Sequence, residues 1–163
     1  MNGALQGIRV LEMASYVTGP FASSLLADMA AEVVKIEQPG QGDPFRGWGD
    51  KLYSATFCSL NCNKKSVTLD IRREEARDIF LKLAAGADVV IENFRPGTLE
   101  KRGLGYDAVR ALNPKVIYCS ISGFGQNGPY RDRAALDLIL QAESGMISVT
   151  GEPGGHNVRA GVS

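Results

Sequence analysis

The 163-residue sequence predicts an α/β fold, a Rossmann-like parallel sheet with helices on both faces. Three observations carry that prediction. Short β-branched runs alternate with segments whose apolar residues recur at helical spacing. One strand run, Val89-Val90-Ile91, is apolar throughout, as a parallel strand covered on both faces is. The length suits one domain of ordinary size, with 44% apolar and 22% charged residues.

Taken in order, Ile8-Arg9-Val10-Leu11 reads as the first strand. Gly19-Pro20 then opens a helix whose Phe21, Leu25, Leu26 and Met29 fall at helical spacing and predict a single buried face. Val33-Val34-Lys35-Ile36 is the second strand. Residues 38–63, rich in Gly, Asp and Asn around Trp48, read as a long loop of the kind that carries function in compact domains. Ser66-Val67-Thr68-Leu69 is the third strand, and Ala76, Ile79, Phe80 and Leu83 mark the helix after it. Val89-Val90-Ile91 is the fourth strand. Pro96 stands where a helix starts and Gly103 where it stops, and a short helix covers Tyr106 to Leu112. The fifth strand spans Val116 to Ile121, and Gly123 to Pro129 is a loop. Leu136, Ile139 and Leu140 mark a last helix, and residues 149–163 return to Gly-rich loop and a possible strand.

In such sheets ligands bind at the carboxyl ends of the strands, so the loops after residues 13, 37, 70, 92 and 122 form the candidate site. Lys plus Arg and Asp plus Glu number 18 each, and a zero net charge argues against a nucleic-acid partner. A local basic pocket for a small polyanion stays open. The N-terminus lacks the basic region and apolar run of a signal peptide, and no stretch is long and apolar enough for a membrane helix, so the expected location is cytoplasmic. Cys58, Cys62 and Cys119 make an odd count without framework spacing, which predicts free thiols. With His156 the only histidine, no metal site is expected.

Gly123-Phe-Gly-Gln-Asn-Gly128 matches a dinucleotide fingerprint in letters, but Pro129 follows where a helix must begin, so these glycines read as turn residues. Phosphate-loop and nucleophile-elbow motifs are missing, which sets nucleotide triphosphatases and serine hydrolases aside. Basic residues instead cluster near the strand ends: Lys64 and Lys65, Arg72 and Arg73, Arg95, Lys101 and Arg102, Arg131 and Arg133. Each alone reads as solvated surface; together they offer forks and charges to one anionic ligand. Asn93-Phe94 ends the fourth strand, where an aromatic face and an amide suit a base, although Phe94 also reads as core.

The segments GIRVLEMASYVTGPFASSLLADMAAEVVKIEQPGQGDPFRGWG, NCNKKSVTLDIRREEARDIFLKLAAGADVVIENFRPGTLEKRGLGY, LNPKVIYCSISGFGQNGPYRDR and LDLILQAESGMISVTGEPGG cover nearly the whole chain. In this order they resemble the class III (CaiB/BaiF) CoA transferases, and ADVVIENFRPG followed by RGLGY is the specific part. The resemblance implies that residues 1–163 are the N-terminal part of a CoA-binding, Rossmann-like large domain, with the remainder and a small domain contributed by further chain, and that the full-length protein forms an interlocked homodimer. Its substrates would be an acyl-CoA and a free carboxylic acid, with coenzyme A as the transferred group and no metal. By position, CoA would meet the backbone at Val17 and Thr18, then Gln38, then Leu69, Asp70, Ile71 and Arg72, then Asn93, Phe94 and Arg95. Lys101 would reach a phosphate, and Ala134 through Asp137 would border the thioester. Gln38 and Ala134 depart from relatives that carry a basic residue at those places.

The same resemblance implies an aspartate nucleophile that forms a mixed anhydride and then an enzyme-bound thioester. Its expected position is just after the segment Gly161-Val162-Ser163, so this chain supplies no catalytic residue of its own and is expected to be inactive alone. The α-methylacyl-CoA racemase branch places a His at the position of Leu136, and its absence favours transfer over epimerisation. A non-catalytic CoA-binding or pairing module is the third reading.

Overall fold

The computed structural model describes residues 3–49 and 53–161. The chain divides into two compact units, one running to Ile121 and one starting at Ser122. The first contains β1 (Arg9–Met13), α1 (Thr18–Asp28), β2 (Glu32–Glu37), α2 (Ala55–Asn61), β3 (Lys64–Thr68), α3 (Glu74–Ala85), β4 (Val89–Glu92), α4 (Tyr106–Leu112) and β5 (Ile117–Ser120). The five strands form one parallel sheet in the order β3-β2-β1-β4-β5. The predicted α/β class, with its parallel sheet, is therefore the observed one. The chain steps outward from β1 to β3 and then returns to lay β4 on the other side of β1. That reversal opens a crevice between the carboxyl ends of β1 and β4, the place where open α/β sheets bind ligands.

Alternation along each strand sends neighbouring side chains to opposite faces. Leu11, Met13, Ile36 and Val90 enter a core with Phe80 and Ala84 of α3 and Val109 of α4. Val10, Val33 and Ile91 enter another with Ala27 of α1 and Ala31. Toward the strand ends this second face becomes polar: Glu12, Lys35 and Glu37 are 0%, 1% and 5% exposed.

That polarity explains a correction. The apolar stripe predicted as the buried face of α1 faces outward, with Phe21, Leu25 and Met29 exposed and Leu26 half-buried. The helix instead buries Gly19, Pro20, Ser23, Ser24 and Ala27. Small residues let its backbone come close to the polar strand ends, and a Cβ at Gly19 would overlap that of Ala14. Periodicity located a helix but assigned the wrong side.

Three boundaries also differ. Residues 38–63 are not all loop: a 3-10 turn, Pro44–Gly47, starts at Asp43, whose carboxylate accepts from the Phe45 N–H (2.9 Å). Ser54 likewise caps α2 by accepting from the Phe57 N–H at 3.0 Å. The helix expected between Pro96 and Gly103 is a set of turns ending in a single 3-10 turn, Glu100–Arg102, closed by Gly103 at φ 70°. Only Leu99 of that stretch is buried, too little apolar surface to hold a longer helix against the sheet.

The second unit contains α5 (Asp137–Glu143) and a 3-10 turn, Met146–Val149. No strand occurs among its described residues, so the possible strand in 149–163 is not found there. Gly125 and Gly128 adopt φ of 79° and 92°, and no α-helix begins between Gly123 and Asp137, as turn glycines require.

Candidate functional site

The β1–α1 loop, Ala14 to Val17, is the first wall of the crevice, and it is held from two sides. Asn93, just past β4, accepts from the Ser15 N–H (2.9 Å) and donates to the Ser15 carbonyl (2.7 Å) and to Thr18 Oγ1 (3.1 Å). Asp43, 3% exposed, accepts from the Tyr16 N–H at 3.4 Å. Tyr16 has φ 63°, a left-handed conformation that a non-glycine residue holds only when its surroundings enforce it. The backbone at Val17 and Thr18 is thus presented by a pinned loop. The Asn93 amide, expected beside a base, is spent on that pinning.

Beneath the loop lies a buried charge cluster. Lys35 Nζ stands 2.6 Å from Glu12 Oε1 and 2.9 Å from Asp43 Oδ2, and donates to the Ala14 carbonyl at 2.8 Å. Lys64 Nζ stands 2.9 Å from Glu12 Oε2 and donates to the Pro20 carbonyl at 2.7 Å. Ser23 adds a 2.6 Å hydrogen bond to Glu12 Oε2. Burial pushes the Lys64 ammonium pKa down, against the opposing pull of Glu12. Two cations and two carboxylates balance within the cluster, which is what allows such groups to leave water.

Glu37 ends β2 next to this cluster. Burial alone would raise its pKa, but hydrogen bonds from Arg46, Ser66 and the Asp43 N–H, with the Arg46 charge, outweigh it and hold the carboxyl at about 2. Arg46 grips both oxygens at 2.7 Å and lies over the Phe57 ring at 4.0 Å. The sequence signal for all of this was a charged residue inside each of three strand runs, Glu12 in β1, Lys35 and Glu37 in β2 and Lys64 in β3, which hydropathy reads as solvent exposure.

The crevice opens into a cavity of about 180 Å³. Gln38, Leu69, Asp70, Ile71, Arg72 and Phe94, drawn from three separate loops, line it together with Met13 and Arg102. A second recess of about 150 Å³ shares Gln38 and Phe94 and reaches Ser15 and Asp43. Asp70 is gripped by Arg72 at 2.7 and 2.9 Å, and that hydrogen-bonded fork lowers the carboxyl pKa. Arg95 and Lys101 are exposed and do not line the cavity, whereas Arg102, which the sequence showed only as one of a basic pair, does.

Ala134 and Asp137 belong to the second unit. Ala134 is exposed, and Asp137 opens α5 and accepts from Gln141 Nε2 at 2.8 Å. Asp137 lines a wide recess of about 620 Å³ with Phe124, Tyr130 and Leu140. Arg133 stacks on Tyr130 (4.7 Å) and pairs with Glu143 (2.7 Å) at the surface. Val162 and Ser163, which precede the expected nucleophile, lie outside the described residues. Among the described residues no helix is long and apolar enough to cross a membrane.

Residues 5–163 match the family model described as CoA-transferase family III. The succinate–glutarate CoA-transferase of Agrobacterium fabrum is 46% identical over 168 residues, a match covering 98% of this chain and 42% of that protein. The succinyl-CoA–D-citramalate CoA-transferase of Chloroflexus aurantiacus is 46% identical over 162 residues, covering 98% of this chain and 40% of that protein. The crystal structure of a CaiB/BaiF family protein from Brucella suis superposes with a TM-score of 0.94 at 43% identity, over 99% of this chain and 44% of that one. The chain therefore spans about two-fifths of the length of the curated relatives it matches.

Proposed function

This chain belongs to CoA-transferase family III, and we propose that it supplies the nucleotide-binding part of an enzyme that moves coenzyme A between an acyl-CoA and a free carboxylic acid. The observation that carries the reading is the convergence of Gln38, Leu69, Asp70, Ile71, Arg72 and Phe94 on one cavity at the carboxyl ends of the strands. Apolar and aromatic walls beside charged forks suit a base joined to phosphates. The similarity to proteins named as succinate–glutarate and succinyl-CoA–D-citramalate CoA-transferases supports the same chemistry.

On this reading residues 1–163 are the N-terminal part of the large domain of a cytoplasmic homodimer, and the nucleophilic aspartate follows Ser163. That carboxylate attacks the thioester carbonyl and expels CoA thiolate, leaving a mixed anhydride. The thiolate then attacks the aspartyl carbon of the anhydride, forming an enzyme thioester and releasing the donor acid. The acceptor carboxylate attacks that thioester and expels the thiolate, which then takes the acceptor's acyl group. Residues of this segment bind and orient the nucleotide while the thioester reacts. A racemase would need a base where the exposed Leu136 stands, and that side chain carries no proton to move.

The test is a calorimetric titration of CoA into the purified chain, with circular dichroism to establish folding. Saturable binding without transferase turnover is the expected result. A folded chain that does not bind CoA would overturn the assignment of the nucleotide site to this segment.

A further inference from the structure

Glu12, Glu37, Asp43 and Glu92 are the buried acids among the described residues. Three of them stand against a cation: Glu12 and Asp43 against Lys35, and Glu37 against Arg46. Glu92 is different. It is the last residue of β4 and 5% exposed, and among the described residues no lysine or arginine pairs with it. Burial, with the Glu100 charge, pushes its pKa up, against the hydrogen bonds that it accepts from Ser120 and the Phe94 N–H. A buried acid without a cation lowers stability, and an apolar side chain of its shape would not. Its contribution lies in those hydrogen bonds.

Glu92 occupies the last rung of the sheet, between Met13 of β1 and Ser120 of β5. Its carbonyl closes the ladder by accepting from the Ile121 N–H at 2.9 Å. Past that rung the chain leaves the sheet, and the Phe94 N–H has no strand to donate to. Glu92 Oε2 takes that N–H at 2.8 Å, from two residues back. The same carboxylate reaches Ser120, so it ties the departing chain to β5. Phe94 is thereby aimed where its ring lines both recesses of the crevice, with Met13 beside it in each. Asn93, the residue between, holds the β1–α1 loop through Ser15. Two consecutive side chains at the end of β4 therefore fix two walls of the crevice.

We propose that Glu92 is a positioning residue, whose carboxylate holds the Phe94 backbone so that the ring stands where the base of the CoA nucleotide lies against it. This rests on the proposed function and adds to it a residue that lines neither recess itself. The role requires a buried acceptor of this length and not a negative charge, so an amide of the same shape fills it.

The experiment titrates CoA into the wild-type chain, Glu92→Leu, Glu92→Gln, Phe94→Leu and the double variant Glu92→Leu/Phe94→Leu, with thermal melting of each. Glu92→Leu should bind CoA about tenfold more weakly, the scale of one base stacked on one aromatic ring. Glu92→Gln, which keeps the acceptor, should bind as wild type does. In the Phe94→Leu background Glu92→Leu should cost little more, because the ring that it aims is already gone. Three results overturn this proposal alone: wild-type affinity in Glu92→Leu, a loss in Glu92→Gln as large as in Glu92→Leu, or the full loss repeated in the absence of the Phe94 ring. If Glu92→Leu does not fold, hydrogen exchange of the Phe94 amide in the wild-type chain decides. Slow exchange is expected, and exchange as fast as in an unstructured chain overturns the proposal. Absence of wild-type CoA binding overturns the proposed function with it.

Discussion

The two faces of the sheet are built on opposite principles. Under α3 and α4, Leu11, Met13, Ile36 and Val90 pack on Phe80, Ala84 and Val109, a dry core whose stability grows with the apolar area removed from water. Under α1, the carboxyl halves of β1 and β2 present Glu12, Lys35 and Glu37, joined by Asp43, Lys64 and Arg46 in a balanced charge cluster. The apolar face holds the sheet together. The polar face sets geometry: Asp43 reaches from the cluster to the Tyr16 N–H, and Lys35 to the Ala14 carbonyl, so the ions fix the loop that walls the crevice. Directional bonds define a position more sharply than hydrophobic contact, and they occur at the end of the sheet where a ligand would sit.

The largest expected effects are of similar size on the two faces and differ in how they are repaired. Phe80→Ala should cost about 3–5 kcal/mol in urea unfolding, through lost burial and a cavity. Lys35→Met should cost about 3–5 kcal/mol as well, because Glu12 then keeps only Lys64 and Asp43 loses the cation it pairs with. Adding Asp43→Asn to Lys35→Met restores charge balance and should recover roughly 1–2 kcal/mol. No recovery would mean that Lys35 acts by packing, and the contrast between the faces would collapse.

A smaller effect separates the faces by pH. Glu37 titrates near 2 in the fold against 4.5 for an unperturbed group, so its contribution is full above 4.5 and is lost as pH falls toward 2. Glu37→Gln should therefore destabilise by about 1–2 kcal/mol at neutral pH, allowing for the partly solvated Arg46, and the gap to wild type should narrow between pH 4.5 and 2. Phe80→Ala should show no such narrowing. A pH-independent gap for Glu37→Gln would remove the ion pair from the account. The smallest effect concerns the outer side of α1: Phe21→Ser should change stability by less than about 0.5 kcal/mol, since the ring is 51% exposed. A loss of several times that would return Phe21 to the buried face that periodicity assigns.

How much was legible in the sequence follows the same division. Strand runs, sheet class and the cavity-lining loops were readable because β-branched runs and helical spacing report apolar burial, and Phe80, Val90 and Leu11 obey it. Glu12 and Lys35 were not, because charge in a strand reads as solvent-facing until its partner in another strand is known. The inverted α1 has the same cause. A helix over a polar surface needs Ser23 and Gly19 inward, and hydropathy gives small residues no weight. Of the basic pair Lys101 and Arg102, only the turn geometry tells which points inward. Family resemblance supplied the positions at Leu69 to Arg72, which no spacing rule would have singled out.

The tie between Ser15 and Asn93 spans 78 positions, and it has a consequence for the order in which the chain acquires its structure. β1 can pair with β2 early, across a short helical crossover, but its other edge stays open until β4 has formed and returned. Closing so long a segment loses chain entropy before any contact repays it, so such pairings arrive late. The loop at Ser15 to Thr18 can be locked only after that closure, which makes the crevice one of the last places to become native. Asn93→Ala should accordingly speed unfolding while leaving the refolding rate nearly unchanged, whereas equal slowing of refolding would put the crevice in the nucleus. A nucleotide bound there would then act as a latch on the finished fold rather than a template for its assembly.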